Sequence, residues 1–144
     1  MMTYRQLKEK HQAEVNAFPL GAAFSDKQFK EMMAKWGLTE KDTDKIYAFG
    51  STGCFYRKSD AAAFHEMCNR HEKERQAAIE SDTTGDGYIY QMFAYELSNQ
   101  EYGYTGSFDD TFDALDLTYE QIIDDKKLRR GLNKALKQYG ARRI

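Results

Sequence analysis

Residues 82–93 read "DTTGDGYIYQMF", and the fold turns on whether they form a calcium loop or a turn between two helices. An EF-hand loop places oxygen ligands at positions 1, 3 and 5, glycine at 6, an apolar residue at 8 and a bidentate glutamate at 12. Asp82, Thr84, Asp86, Gly87 and Ile89 meet the first five requirements, but position 12 is Phe93. A phenyl ring supplies no oxygen, so the loop is short of its two-pronged ligand. Glu96 stands one turn too far along to replace it. Phe93 also falls four residues after Ile89 and four before Leu97, on a helical apolar stripe. Metal coordination and core packing compete for one position, and the residue found there serves the core. The stretch therefore reads as a glycine-assisted turn into a helix over 88–99, with Phe93 packed against the helix around His65 and Cys68. A degenerate EF-hand-like calcium binder is the lesser alternative.

Outward from this turn the chain reads as helical. Tyr4, Leu7, His11, Val15 and Phe18 step at helical spacing over about 3–17, and Pro19 with Gly21 ends that run. Ser25 opens a capping box with Gln28, followed by Phe29, Met32, Met33 and Trp36 on one face and a stop at Gly37. The runs 46–49 and 54–57 flank "GSTG" and predict a β-hairpin. A long helix from Ser59 to about Glu80 follows, with a less polar stripe at Ala62, His65 and Cys68. After the 82–87 turn and its helix come "EYGYTG" as a turn, a short helix over 109–115, a turn capped by Thr118 and Gln121, and a last helix. That helix starts at Asp124 or Asp125, carries Leu128, Leu132, Leu136 and Tyr139 on one side, and ends at Gly140. The expected fold is mainly α (α+β), with about six helices and one small β-hairpin near residues 45–58, as a single domain over 1–144.

Hydrophobic residues make up 41% of the chain and aromatics 14%, enough for a packed core and against intrinsic disorder. No apolar run is long enough to span a membrane, and "MMTYRQLKEKHQAEV" lacks the apolar centre of a signal peptide. Cys54 and Cys68 fit free thiols in a reducing compartment. Together these point to the cytoplasm, without membrane association. The net charge of −2 hides a partition: residues 1–75 carry +2, residues 76–125 carry −12 with no Lys or Arg, and residues 126–144 carry +8 with no acid. The simplest meaning is internal pairing of the basic helix with the acidic segment.

No chemistry-bearing constellation emerges, and the chain reads as non-enzymatic, with no cofactor and no metal site. His65, Cys68 and His71 at i, i+3 and i+6 lack zinc-finger pairing, and "HEMCN" fails the HExxH pattern. "GSTGC" lacks the lysine of a phosphate loop and joins strand to strand. The surfaces carry more. Tyr102, Tyr104, Asp109, Asp110, Asp113 and Asp116 form an acidic, tyrosine-bearing set suited to a basic protein groove. Lys126, Lys127, Arg129, Arg130, Lys134, Arg142 and Arg143 form the set that would contact nucleic-acid phosphates.

The stretches "FSDKQFKEMMAKWGL", "DTDKIYAFGSTGCFYRKSDAAAFHEMCNRHEKE", "YIYQMFAYELSNQEYGYTG" and "ALDLTYEQI" resemble an uncharacterised family of small proteins of phages and conjugative elements of gut Firmicutes, over roughly 19–140. The resemblance implies an accessory protein of a mobile element and brings no catalytic residues. By analogy with other small acidic proteins of such elements, the expected role is binding a host protein, as an inhibitor of a defence nuclease of the anti-CRISPR or anti-restriction type. The alternative is a nucleic-acid-binding accessory factor working through the basic C-terminal helix.

Overall fold

Helices form where apolar residues recur at helical spacing, and the computed structural model, which describes residues 2–144, follows these stripes closely. In chain order the elements are α1 (Tyr4–Ala17), β1 (Gly21–Ala22), α2 (Asp26–Lys35), β2 (Ile46–Phe49), β3 (Cys54–Arg57), α3 (Ala61–Ser81), α4 (Tyr88–Asn99), α5 (Tyr102–Thr105), α6 (Asp109–Leu115), α7 (Tyr119–Asp124) and α8 (Lys126–Leu136). The protein is mainly α with a small antiparallel sheet of order β1-β3-β2. The hairpin pairs Ile46 with Arg57 through Phe49 with Cys54. Three elements exceed the sequence reading. A third strand, β1, adds to β3, and α5 and α7 bring the helices among the described residues to eight. Each is too short for periodicity to register.

The chain divides into two compact units: His11–Glu72, and Lys73–Ile144 together with the chain up to Lys10. In the His11–Glu72 unit, Ser25 Oγ accepts the Gln28 N–H and starts α2, while Gln28 Oε1 accepts the N–H of Phe24 rather than that of the cap itself. Met32, Met33 and Ile46 form one apolar cluster. Tyr56, Phe64 and Met67 form another, with Val15, Phe18 and Leu20 against it. The inward stripe of α3 is therefore Phe64, Met67 and His71, while Ala62 and His65 are exposed and Cys68 is half-buried. The expected stripe was one to two residues out of phase, because Phe64 and Met67 carry far more apolar area than Ala62 and His65. His71 stacks on His11 at 3.9 Å and hydrogen-bonds Glu14, which also pairs with Arg70 at 2.6 Å. Arg70 and His71 hold the Glu14 carboxyl down at about 2.

In the other unit the core gathers Ile89, Phe93 and Leu97 of α4, Phe112 of α6, Ile122 of α7 and Leu128, Leu132 and Leu136 of α8. Phe93 is fully buried, and removing such a ring from water stabilises by about 2–3 kcal/mol. Its α3 neighbours in this cluster are Ala78 and Ile79, not the region of His65 and Cys68. Those two residues lie some three turns earlier along the same helix. Glu96, on the same helix as Phe93, is fully buried too. It accepts hydrogen bonds from Tyr4 Oη at 2.8 Å and Lys8 Nζ at 3.0 Å, so the buried charge is satisfied. Burial, reinforced by this bond to Glu96, raises the Tyr4 phenol far above its ordinary value.

The 82–87 turn is built around a single carboxylate. Asp82 Oδ1 accepts the N–H groups of Thr84 and Gly85 at 3.2 and 2.9 Å, and Oδ2 accepts those of Gly87 and Ile89 at 3.1 and 3.0 Å. Burial alone would raise the pKa of Asp82, but these four donors outweigh it and hold the group below the usual carboxylate range. Asp86 meets Arg130 through two bonds of 2.9 Å, and Arg130 lowers its pKa. Gly85 adopts φ +95°, and a Cβ there would collide with the Lys127 carbonyl oxygen. Gly131 lets α8 approach α4 closely: an added Cβ would lie 2.5 Å from Ile89 Cγ2 and 2.8 Å from the Gly85 carbonyl oxygen.

Two outcomes follow from this packing. Gly131→Ala gains about 1 kcal/mol of helix propensity but overpacks a rigid contact at a cost of about 2–3 kcal/mol, so urea melts should show a net loss of about 1–2 kcal/mol. For Asp82, the folded pKa lies below the unfolded value of about 3.9, so its contribution is complete above that pH and is lost as pH falls through the folded pKa. Thermal melts should hold steady from neutrality to about pH 5 and decline below about pH 4. Asp82→Asn should lower the neutral-pH plateau and flatten that acid limb; an unchanged limb would show that Asp82 does not shape it.

Candidate interaction surface

The acidic set is displayed by a short aromatic stack. In "FDDTFDAL" the inward positions are Phe108, Thr111, Phe112 and Leu115, and the outward ones are Asp109, Asp110 and Asp113. Phe108 stacks on Tyr102 at 5.1 Å and on Phe112 at 5.2 Å, with the rings within 1° and 9° of parallel. Tyr139 meets Tyr102 edge-on at 5.1 Å. Thr111 is fully buried and donates its hydroxyl to the Glu96 backbone carbonyl at 3.4 Å, which ties α6 to α4. One face of α6 is thus fixed, and its carboxylates are left in solvent.

The six residues of this set divide by this geometry. Tyr102 is half-buried, and its ring is part of the stack. Tyr104 is 91% exposed, the most exposed of the large hydrophobic side chains. It stands on a one-turn helix bounded by Glu101 at φ +58° and Gly106 at φ +66°. Asp109, Asp110, Asp113 and Asp116 are all exposed, and none pairs with a Lys or Arg among the described residues. Asp116 ends α6 in the left-handed region at φ +53°, a conformation aspartate tolerates better than most residues.

The basic set is partly engaged inside its own unit. Arg130 is held by Asp86, and Lys134 lies 4.4 Å over the Tyr90 ring and 3.4 Å from the Asp86 carbonyl oxygen. Internal pairing of the basic helix with the acidic segment therefore holds at Asp86, but not at the carboxylates of α6. Lys126, Arg142 and Arg143 are exposed, and Lys127 and Arg129 are half-buried, all without carboxylate partners among the described residues. Asn133 is buried and fixes the backbone of Ile144, accepting its N–H at 2.8 Å and donating to its carbonyl oxygen at 3.2 Å.

A model of a family of unknown function (DUF7659) matches residues 3–138. The chain belongs to this family. No curated protein and no solved structure matches the chain. Among the described residues no helix is long and apolar enough to cross a membrane.

If the α6 carboxylates hold nothing together, removing their charge costs little. The variant with Asp109, Asp110, Asp113 and Asp116 all changed to Asn should unfold within about 0.5–1 kcal/mol of the parent. Loss of favourable charge in the first turn of α6 is offset by relief of mutual repulsion. A loss of several kcal/mol in urea melts would show that these groups are structural.

Proposed function

We propose that this protein is a non-enzymatic accessory protein of a phage or other mobile element, and that it binds a host protein through the face built by α5 and α6. The observation that carries this reading is the contrast between two classes of carboxylate. Asp82, Asp86 and Glu96 each accept hydrogen bonds from donors of the chain itself, whereas Asp109, Asp110, Asp113 and Asp116 have no Lys or Arg partner among the described residues. The latter lie on a helix pinned by Phe108, Thr111 and Phe112, beside the projecting Tyr104.

Carboxylates fixed on a rigid helix imitate the spaced charges of a phosphate backbone. Their natural complement is a basic groove, and an exposed tyrosine adds contact area at small entropic cost. A nucleic-acid-handling defence complex in the bacterial cytoplasm presents such a groove, and a protein seated there excludes the nucleic acid. On this proposal the protein acts as an inhibitor of the anti-CRISPR or anti-restriction kind. The mobile-element setting comes from the motif resemblance, and the partner class comes from the unpaired carboxylates of α6.

Direct nucleic-acid binding by Lys126, Lys127, Arg129, Arg142 and Arg143 is the second reading, favoured by their lack of carboxylate partners. It ranks lower because Arg130 and Lys134 are already engaged with Asp86 and Tyr90. Calcium binding at 82–93 ranks below both, since backbone donors and Arg130 take up the oxygens of Asp82 and Asp86.

Capture of host-lysate proteins on the immobilised chain, followed by inhibition assays on the nucleases recovered, tests the reading. The expected result is recovery of a nucleic-acid enzyme that the parent inhibits at about micromolar concentration or below, with the four-Asn variant at least about tenfold weaker. The advantage of the parent should shrink with added salt. Recovery of no such enzyme, together with a gel shift of nucleic acid by the chain alone, would replace this reading with the second one.

A further inference from the structure

Strand β2 is an outer strand of the β1-β3-β2 sheet, so one of its edges has no strand beside it. The Ala23 N–H donates to the Gly53 carbonyl oxygen at 2.9 Å, and Gly21 stands opposite Phe55. Backbone groups alternate in direction along a strand. Gly53 and Phe55 therefore turn theirs toward β1, and Cys54 and Tyr56 turn theirs toward β2. Phe49 and Tyr47, opposite Cys54 and Tyr56, complete that ladder. Ala48, opposite Phe55, is left pointing its N–H and C=O away from the sheet. We infer that this edge pairs antiparallel with the same edge of a second copy of the chain, about a two-fold axis at Ala48.

The edge is open and apolar. Tyr47 and Phe49 are each 43% exposed, and Ala48 between them is exposed too. The two aromatic side chains project to one side of the sheet, where their rings meet Tyr56 at 5.6 Å and Phe64 at 5.3 Å; Ala48 projects to the other side. Edge strands are commonly guarded by a charge, a proline or a bulge within the strand. Ile46–Phe49 holds no charge and no proline, and its register with β3 runs unbroken. The Lys58 ammonium lies 4.9 Å over the Tyr47 ring, yet that ring keeps its exposure.

Symmetry selects the occupant. About Ala48 the strand reads aromatic, alanine, aromatic in either direction. Two-fold pairing sets Ala48 opposite Ala48 of the second copy, and the two exchange both backbone hydrogen bonds. Tyr47 then faces Phe49 of the second copy, and Phe49 faces its Tyr47. These are the non-hydrogen-bonded positions, where facing Cα atoms approach to about 4.5 Å and aromatic pairs stabilise a sheet. Lys45 falls opposite Ser51 of the second copy, so no like charges oppose each other along the strand. A foreign strand offers the same backbone groups but covers both rings only if it carries aromatics in this spacing, whereas β2 supplies them by symmetry. A contact built on four residues per strand is small, so the association is weak, with a dissociation constant of about 1–100 μM. The inference does not rest on the proposed function, and it uses no residue of α5 or α6.

Sedimentation velocity of the full chain from about 5 to 500 μM should show a reversible monomer–dimer equilibrium with a dissociation constant below about 200 μM. Ala48→Lys and Ala48→Glu change an exposed position, and each alone sets like charges opposite each other at the axis. Each should associate at least about tenfold more weakly than the parent. Mixed in equal amounts, the two variants should form a heterodimer about as tight as the parent dimer, because the axis then pairs opposite charges. A substitution that merely damaged the fold would not be rescued by mixing. A chain that stays monomeric up to about 1 mM would overturn the inference and leave the edge to a foreign strand. A dimer indifferent to both substitutions, or variants that remain monomeric when mixed, would overturn it equally.

Discussion

Four backbone N–H groups converge on the carboxylate of Asp82, and the arrangement of the second unit depends on it. Without that acceptor, the amides of Thr84, Gly85, Gly87 and Ile89 would be stranded in a turn pressed against α8. An unsatisfied amide in such a place costs about 1–3 kcal/mol, so one side chain offsets a penalty that could otherwise melt the turn. With the turn fixed, α4 enters at one angle, Gly131 brings α8 into contact with it, and Arg130 falls within reach of Asp86. The same α4 then presents Phe93 to the core and its Glu96 carbonyl to Thr111, and through Thr111 it sets the orientation of α6. A chain of contacts thus runs from one carboxylate to the exposed acidic face.

Much of this was legible in the sequence, because large side chains write strong patterns. Phe93 at the twelfth loop position carried the decisive information, and the hairpin, the Ser25, Thr118 and Asp125 caps and the outward aspartates of α6 followed local rules. Other features were hidden for identifiable reasons. Asp82 looked like a ligand position, because a carboxylate that gathers backbone amides and one that grips a cation have the same sequence signature. Strand β1 is two residues long and contains a glycine, so no alternation could betray it. The α3 stripe was misplaced because Ala62, His65 and Cys68 share helical spacing with Phe64 and Met67, and spacing alone does not say which of two adjacent stripes is the heavier. Tyr102 was grouped with Tyr104, although two residues apart on a helix they face different ways, and only one of them remained in solvent.

Electrostatics sorts the acidic residues of the second unit into two populations by their surroundings. Asp82, Asp86, Glu96 and Asp125 each accept hydrogen bonds from defined donors, and each closes a turn, a helix start or a contact between helices. Their energetic role is geometric: the donors they satisfy would be expensive to leave bare. The aspartates of α6 share none of these duties. The α8 cations Arg130 and Lys134 meet Asp86 and Tyr90 rather than these aspartates.

That allocation bears on what the acidic face is for. Self-repulsion among fixed carboxylates raises the free energy of the folded chain slightly, by tenths of a kcal/mol per exposed pair, and it keeps a local negative potential. A surface whose only task was solubility would be served as well by mixed charges, which cost less repulsion. A single-sign face on a rigid helix, with the neighbouring tyrosine turned outward, lowers its energy most when it meets a cationic surface that supplies what the chain itself withholds. The aromatic stack beneath the α6 carboxylates keeps their spacing fixed, so on the proposed reading the potential they hold is already shaped for such a surface.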